Sequence, residues 1–516
     1  MVRRGTTWNL FDYGTRRPGL SLLLAPGFAL TDDASTVYRT ALFLNPVLAG
    51  ASVVALIFVI RRLTGWTSGT ATMVAVGVAL APTSVAASST VWAEPLTTLT
   101  FLLTLFALMR FFELPGIGRA MIATGAAAAG FLAHSRLLPL IPVAVLLTVI
   151  TLARRRDLGG AVVVTLWSFA TTIVMVIVSG AAIDHVWTEP TTTNDAGEVA
   201  KRLDAPLAII DAAIGQLWYL LAATFGVVAF GTVELVRLAV GRDRPDRRTG
   251  ALLVIALTTP LLAVSALFMS DRPRADHLVY GRYNDAVLWP IVALGVAWIG
   301  HNLWDAQRAR SRDTIATVVT VAALLLVTAA AVHQWHAADL RSRITLTHMV
   351  PGIVWLSPQR GTIEVWPTTL AALVVMAIGF GAVVLRRRVP WLVPVVVVTV
   401  LAAGGLRARI EFGTDANALT IASVVTETTA LLPDGEQVGY SLSQPSPEIT
   451  LDNQRAWAQA YQFYLPEHEF LLDGGPDDVG PYVFAPFDDA VMSAIGAEEI
   501  WTDPRSGISL WREPRP

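Results

Sequence analysis

The stretch "VWAEPLTTLTFLLTLFALMR" (residues 91–110) shows the pattern on which the predicted fold rests. It begins with a polar Glu-Pro pair, continues as an apolar run and ends at Arg110. A helix of about 20 apolar residues spans the hydrocarbon core of a bilayer. The segment 92–112 is therefore predicted to be a transmembrane helix whose two ends differ in chemistry.

Similar runs recur along the 516-residue chain, of which 54% is hydrophobic and only 15% is charged. This composition is typical of an integral membrane protein. The formal net charge of −2 argues against a nucleic-acid partner, because phosphates attract a basic surface. About twelve spans are predicted by length. They lie near residues 35–60, 67–86, 92–112, 119–134, 137–153, 159–182, 217–240, 250–270, 284–304, 313–334, 366–386 and 390–405.

Arginines mark alternate connections between these spans. They occur at 61–62, 110 and 119, 154–156, 241–248, 308–312 and 386–388. The positive-inside rule makes this side cytoplasmic. The long connections and everything after residue 405 then fall on the opposite side. We therefore predict a multi-pass plasma-membrane protein with an extracytoplasmic C-terminal domain.

The segments outside the spans complete the predicted fold class, an all-α polytopic membrane domain followed by a small α/β domain. Residues 1–34 are predicted to be a partial first outer loop. Its apolar run Leu20 to Leu30 is only about 17 Å long as a helix, so it is expected to lie in the membrane interface. Residues 35–405 form the transmembrane domain and 406–516 the extracytoplasmic α/β domain.

Sequence patterns in the C-terminal domain predict its strands and helices. "EQVGYSLS" (436–443) and "EFLLDGG" (469–475) are typical of strands, and "NQRAWAQAYQFYL" (453–465) of an amphipathic helix. A further strand, a helix that ends near Gly496 and a final hairpin that turns at 503–507 follow.

Polar residues concentrate at the predicted outer helix ends and are scarce at mid-depth. The segments are "DYGTRRP" (12–18), "VYR" (37–39), "VWAEP" (91–95), "AHSR" (133–136) and "DRPRADHLVYGRYND" (271–285). Ion-coupled carriers place ionisable groups at mid-depth, so this pattern argues against such a carrier. It favours a site at the outer membrane surface.

The order of these segments resembles the GT-C superfamily of integral-membrane glycosyltransferases, in particular its protein-mannosyltransferase-like and bacterial lipopolysaccharide-core-transferase-like branch. "YGTRRPGLSLLLAP" is similar to the "HPPLYPLLLAP" segment of that branch, and "VYRTALFLNP" to its "AR..N" helix start. "WAEPL" is similar to "SEPL", "AHSRLLPLIP" to "ARY…LLLLP", and "GRYNDAVLWP" to "ERYL.P". The resemblance covers residues 12–300.

This resemblance implies inverting transfer of a hexose or pentose from a polyprenyl-phosphate donor to a glycan, lipid or protein acceptor of the cell envelope. It also implies an Asp general base early in the first outer loop, after a first transmembrane helix. The sequence shows neither that helix nor an acidic pair at that place. We therefore expect that helix and base to lie upstream of Met1. Asp12 is a candidate base by elimination, since it is the only carboxylate before the LLLAP segment.

Arginine suits the donor phosphate because its planar donors bind phosphate bidentately. Arg282 with Tyr283 is the first choice for this role, and Arg136 with His134 the second. The alternative is that these arginines anchor helix ends among lipid headgroups.

Three further residues, Glu94, Tyr13 and Arg17, are predicted to line the outer rim of the site. Glu94 has an alternative interpretation as a helix-start acid favoured by the helix dipole. No cofactor is expected, and a divalent metal has no support, because the histidines lack ligand spacing and there is no cysteine.

Two other functions stay open from the sequence. A lipid-linked-glycan flippase or other transporter would need a continuous polar path through the helices. An inactive or truncated family member would be expected if the chain lacks its base.

Overall fold

The computed structural model describes most of the chain and divides it into two compact units. The first comprises Met1–Ala41, Val176–Asp195 and Thr414–Pro516, and the second comprises Leu42–Met175 and Ala196–Gly413. The residues that the structure describes are 17–31, 33–186, 202–242, 244–270, 275–303, 311–341, 349–357, 362–386, 388–389, 391–412, 427–433, 436–441, 461, 465, 468, 470–472, 481–486, 489–503 and 508–514.

The described residues are mainly helical, as expected of apolar segments whose backbone groups must be hydrogen-bonded within the segment in lipid. The helices are α1 Gly19–Leu30, α2 Ala34–Thr64, α3 Ser68–Ala79, α4 Pro82–Ser88, α5 Glu94–Glu113, α6 Ile117–Ala133, α7 Leu140–Arg154, α8 Leu158–Val186, α9 Pro206–Ala223, α10 Val227–Val240, α11 Pro245–Met269, α12 Arg282–Asp285, α13 Trp289–Leu303, α14 Arg312–Leu340, α15 Val365–Leu385, α16 Leu392–Phe412 and α17 Ala490–Ala494.

Nine helices among the described residues are long and apolar enough to cross a membrane, and the bent pair α3 and α4 raises the number to ten if it forms one span. The protein is therefore a multi-pass membrane protein. The sequence predicted about twelve spans. Two of those predicted spans, 119–134 and 284–304, correspond to helices shorter than 18 residues, namely α6 and α13.

Two predicted spans are not continuous helices. Residues 67–86 bend by 70° between α3 and α4, where Pro82 begins the second helix. The predicted span 217–240 is wrong as a single helix, because it breaks between α9 and α10. Phe225 and Gly226 have φ angles of 52° and 78° there, in the left-handed region that cannot continue a right-handed helix.

The two helices α10 and α13 pack closely because each has a glycine in the contact. A Cβ on Gly231 would overlap the carbonyl oxygen of Ile291, and a Cβ on Gly295 would overlap that of Val227. Small residues allow such close approach of helices in a membrane, where packing replaces the hydrophobic effect as the main attraction.

The described part of the first unit contains α1 and a five-stranded sheet. The strands are β1 Val438–Tyr440, β2 Phe470–Leu472, β3 Tyr482–Pro486, β4 Glu498–Asp503 and β5 Ile508–Arg512. Their order is β2-β1-β3-β5-β4, with β1 parallel to β2 and β3 and with β5 antiparallel to β3 and β4.

The predicted strands and the final hairpin are confirmed. The short helix α17 begins after Asp489, whose side chain accepts from the N–H groups of Val491 and Met492, and it ends before Gly496. The predicted helix 453–465 lies outside the described residues except for Tyr461 and Leu465.

The contact between α10 and α13 gives a first test. We expect Gly295→Ala to lower the melting temperature of the detergent-solubilised protein by several degrees, because overpacking against backbone costs about 1–3 kcal/mol. Gly300→Ala is the matched control on the same helix, since nothing lies within 4 Å of its Cβ position. Equal melting temperatures for the two variants would contradict the described packing.

Candidate functional site

The candidate site lies in the second unit, where the start of α5 meets the short helix α12. Glu94 is the first residue of α5 and is 4% exposed, and Pro95 occupies the first turn, where a missing N–H is tolerated. Gly281 precedes α12. A Cβ at this position would overlap the ring of Tyr219, so glycine is required for the approach of α12 to α9.

An ion pair joins these two elements. Arg282 donates from Nε and Nη2 to the two carboxylate oxygens of Glu94, and the Nη2–Oε2 distance is 3.3 Å. The guanidinium carbon also lies 4.1 Å from the ring centroid of Trp92, a favourable cation–π distance. Burial lowers the pKa of Arg282, but the Glu94 carboxylate outweighs it and raises the pKa above that of a free arginine. Arg282 is therefore a fixed positive charge with a defined orientation.

A second arginine packs on the next residue of α12. The guanidinium carbon of Arg136 lies 3.5 Å from the ring centroid of Tyr283, and Nη1 lies 3.4 Å from Ser265 Oγ. The ring of His134 contacts the edge of Tyr283, with the centroids 4.6 Å apart. His134 Nδ1 accepts from the backbone N–H of Arg136, which orients the short turn that follows α6.

Five of the residues predicted for the site therefore lie together. We call Glu94, Arg282, Tyr283, Arg136 and His134, with Trp92, the arginine cluster. The two interpretations of Glu94 are compatible, because it both begins α5 and pairs with Arg282.

The remaining predicted residues lie elsewhere. Arg17 belongs to the first unit, where its Nη1 donates to Ser179 Oγ at 2.8 Å. Asp12 and Tyr13 lie outside the described residues. Within the described part of the chain, no group of three or more metal-ligating side chains occurs.

Asp285, which sequence reasoning did not single out, also faces the site. Tyr219 donates from its hydroxyl to Asp285 Oδ2 at 2.5 Å, and the Gly352 N–H donates to the Tyr219 oxygen at 2.9 Å. Burial raises the pKa of Asp285 to about 7; the nearby Glu94 carboxylate adds to this rise and the Tyr219 hydrogen bond opposes it. The only signal in the sequence is its place one helical turn after Arg282.

Asn45 on α2 positions the segment that leads to Glu94. Its buried side chain donates from Nδ2 to the carbonyl oxygens of Thr90 and Trp92, the latter at 3.0 Å. This asparagine is part of the "VYRTALFLNP" motif, so a signal was present, but the motif does not say what it contacts.

Two small cavities lie on either side of α12. The first has a volume of about 30 Å³ and is lined by Glu94, Arg282 and Asp285, among others. The second has a volume of about 20 Å³, and Arg136 and Tyr283 line it. Each has room for a group of the size of a water molecule or a hydroxyl.

The ion pair gives a second test. We expect Glu94→Gln to lower the melting temperature by several degrees, because leaving one partner of a buried pair alone costs about 3–5 kcal/mol. Replacing both residues, as Glu94→Gln with Arg282→Gln, is expected to recover part of the loss. Glu113→Gln is the control at the other end of α5, where its two more exposed pairs, with Arg62 and Arg110, are each worth at most about 1 kcal/mol. If Glu94→Gln is no more destabilising than Glu113→Gln, the pair does not hold the two elements together.

Comparisons with known proteins identify the fold. No protein-family model and no curated protein matches the sequence. The structure of this chain is similar to the crystal structure of ArnT from Cupriavidus metallidurans bound to undecaprenyl phosphate, with a TM-score of 0.51 and 14% sequence identity over 98% of this chain and 90% of that chain. The apo structure of the same ArnT gives a TM-score of 0.49 at 14% identity with the same coverage. The chain therefore has an ArnT-like fold.

Proposed function

We propose that the protein is a membrane glycosyltransferase that moves a sugar from a polyprenyl-phosphate donor to a glycan, lipid or protein acceptor of the cell envelope. The observation that carries this proposal is the Glu94–Arg282 pair stacked on Trp92, with Arg136 nearby, in a GT-C-like fold. The similar ArnT structure contains undecaprenyl phosphate, which supports a lipid phosphate as the ligand.

The geometry of Arg282 suits a phosphate. Its hydrogen bonds to Glu94 use Nε and Nη2, which leaves the N–H groups of Nη1 for a second anion. Because the pair and the Trp92 ring fix the guanidinium plane, little side-chain entropy is lost when a phosphate binds. In a site with little water, such a preorganised cation stabilises the negative charge that develops on the departing phosphate.

Arg136 supplies a second positive charge on the other side of α12. Tyr283 lies against both guanidinium groups, with its ring centroid 3.5 Å from the Arg136 carbon and 5.9 Å from that of Arg282. The ring thus separates two like charges. Both cations attract the negative charge of the donor phosphodiester, and the attraction increases as the departing polyprenyl phosphate gains charge, so binding is favoured over that of a neutral headgroup.

The positive-inside pattern supports an extracytoplasmic position for the arginine cluster. Glu94 begins α5 and Arg110 lies in its last turn, so the cluster and the arginine-rich connections lie at opposite ends of this helix. Transfer would then take place on the outer face of the membrane.

Lipid binding tests the role of Arg282. We expect Arg282→Ala to weaken binding of undecaprenyl phosphate to the purified protein about 10-fold or more, because a charge-assisted hydrogen bond contributes about 1.5–3 kcal/mol. Arg110→Ala is the matched control, since it removes an arginine from the end of α5 opposite Glu94, the partner of Arg282. Native mass spectrometry with added lipid measures both; equal binding by the two variants would remove Arg282 from the phosphate site.

Transfer itself is measured in proteoliposomes that contain the wild-type protein, a panel of undecaprenyl-phosphate-linked hexoses and pentoses, and cell-envelope extract. We expect sugar incorporation into the extract and release of undecaprenyl phosphate with at least one donor. No transfer with any donor would contradict the proposed activity and would favour a transporter or an inactive protein.

The absence of cysteine from the sequence permits a direct test of orientation. Ser493→Cys lies in α17 and Asp246→Cys at the start of α11, and both positions are exposed. We expect a membrane-impermeant maleimide to label the first variant in intact cells, and the second only after the membrane is permeabilised. The reverse result would place the C-terminal domain in the cytoplasm.

A further inference from the structure

The proposed function leaves the carboxylate of Asp285 without a role, although it lines the same cavity as Glu94 and Arg282. Tyr219 donates to Oδ2, whereas Oδ1 accepts no hydrogen bond from any residue that the structure describes. The cavity beside it has room for one hydroxyl group. A carboxylate oxygen beside such a space, next to a fixed cation, is the arrangement that a general base requires.

We propose that Asp285 is the catalytic base of the sugar transfer and that the acceptor hydroxyl reacts in the cavity between Asp285, Glu94 and Arg282. This inference rests on the proposed function and deepens it. The sequence-based expectation that the base is Asp12 or lies upstream of Met1 is the competing assignment, and Asp12 lies outside the described residues.

The step balances in atoms and charge. The acceptor oxygen forms a bond to the anomeric carbon of the sugar, and its proton passes to Asp285 Oδ1. The bond between that carbon and the phosphate oxygen breaks, and its electron pair stays on the polyprenyl phosphate. Arg282 faces the negative charge that appears there.

Glu94 is the other carboxylate in the cavity, and its contacts argue against the same role. Both of its oxygens accept hydrogen bonds from Arg282. Neither oxygen is therefore available to take a proton from an acceptor while the pair is intact. Glu94 is therefore a positioning residue for Arg282, and Asp285 is the carboxylate with an oxygen available to a substrate.

The surroundings of Asp285 place the pKa of its carboxyl group near neutral. The titratable or charged groups near Asp285 on the described elements around the cavity are Tyr219 on α9, Glu94 on α5 and Arg282 on α12. Ser52 on α2 and Ser84 on α4 also line the cavity, but their hydroxyl groups do not titrate in this range. Burial raises the pKa of Asp285 to about 7. A base whose pKa lies near the working pH is efficient, because it is both available and able to take the proton.

The first arm of the test uses Asp285→Asn, which keeps the shape of the side chain. We expect the transfer rate to fall about 100-fold or more, as for loss of a general base, while binding of undecaprenyl phosphate stays within about twofold. Asp313→Asn, in the first turn of α14, is the matched control and is expected to transfer sugar at the wild-type rate. Asp285→Glu, which restores a carboxylate, is expected to recover part of the activity.

The second arm uses the pH dependence of kcat/KM. Activity is expected to rise with pH as Asp285 loses its proton near pH 7. The Tyr219 hydrogen bond favours the charged carboxylate, so Tyr219→Phe raises the pKa of Asp285 and is expected to move this rise to higher pH. A residue with only a structural role would lower activity without moving the profile.

The outcomes separate the two proposals. Transfer by the wild-type protein together with full activity of Asp285→Asn would overturn the assignment of the base and leave the proposed function standing. Loss of activity in Asp12→Asn with an unchanged pH profile in Tyr219→Phe would also overturn it. Absence of transfer by the wild-type protein would instead contradict the proposed function itself.

Discussion

The buried ion pair between Glu94 and Arg282 is the interaction on which the rest of the site depends. Removing two charges from water costs several kcal/mol for each ion, and only good geometry with further contacts repays this cost. Here the guanidinium engages both carboxylate oxygens and lies on the Trp92 ring. The pair therefore joins the start of α5 to a segment 188 residues later in the chain and fixes where α12 lies.

The position of α12 determines what its other side chains face. Residues one helical turn apart share a face of a helix, so Arg282 and Asp285 line one cavity. Tyr283 and Asn284 lie on the other face and line the second cavity, with Arg136 and His134. One short helix thus presents a cation and a carboxylate to the first cavity and an aromatic ring to the second. In the proposed reaction, proton transfer takes place in the first cavity, Arg282 beside it faces the phosphate, and Arg136 adds positive charge from the second.

Much of this site was predictable because successive membrane helices return to the same two surfaces. Residues at alternate helix ends therefore share one side, and the sequence placed Glu94, Arg136 and Arg282 together without knowledge of the packing. The same reasoning could not find the bond from Tyr219 to Asp285, since it depends on the rotation of α9 about its axis and on the absence of a side chain at Gly281. The break at Gly226 was also missed, because a single glycine in an apolar run is compatible with a continuous helix.

A structure of the protein with undecaprenyl phosphate bound, determined by electron cryo-microscopy, tests the role of Arg282 most directly. We expect density for the phosphate within hydrogen-bonding distance of Arg282 Nη1, with Glu94 still paired to the Nε side of the guanidinium. A phosphate bound away from Arg282, or at the opposite end of α5, would contradict the account.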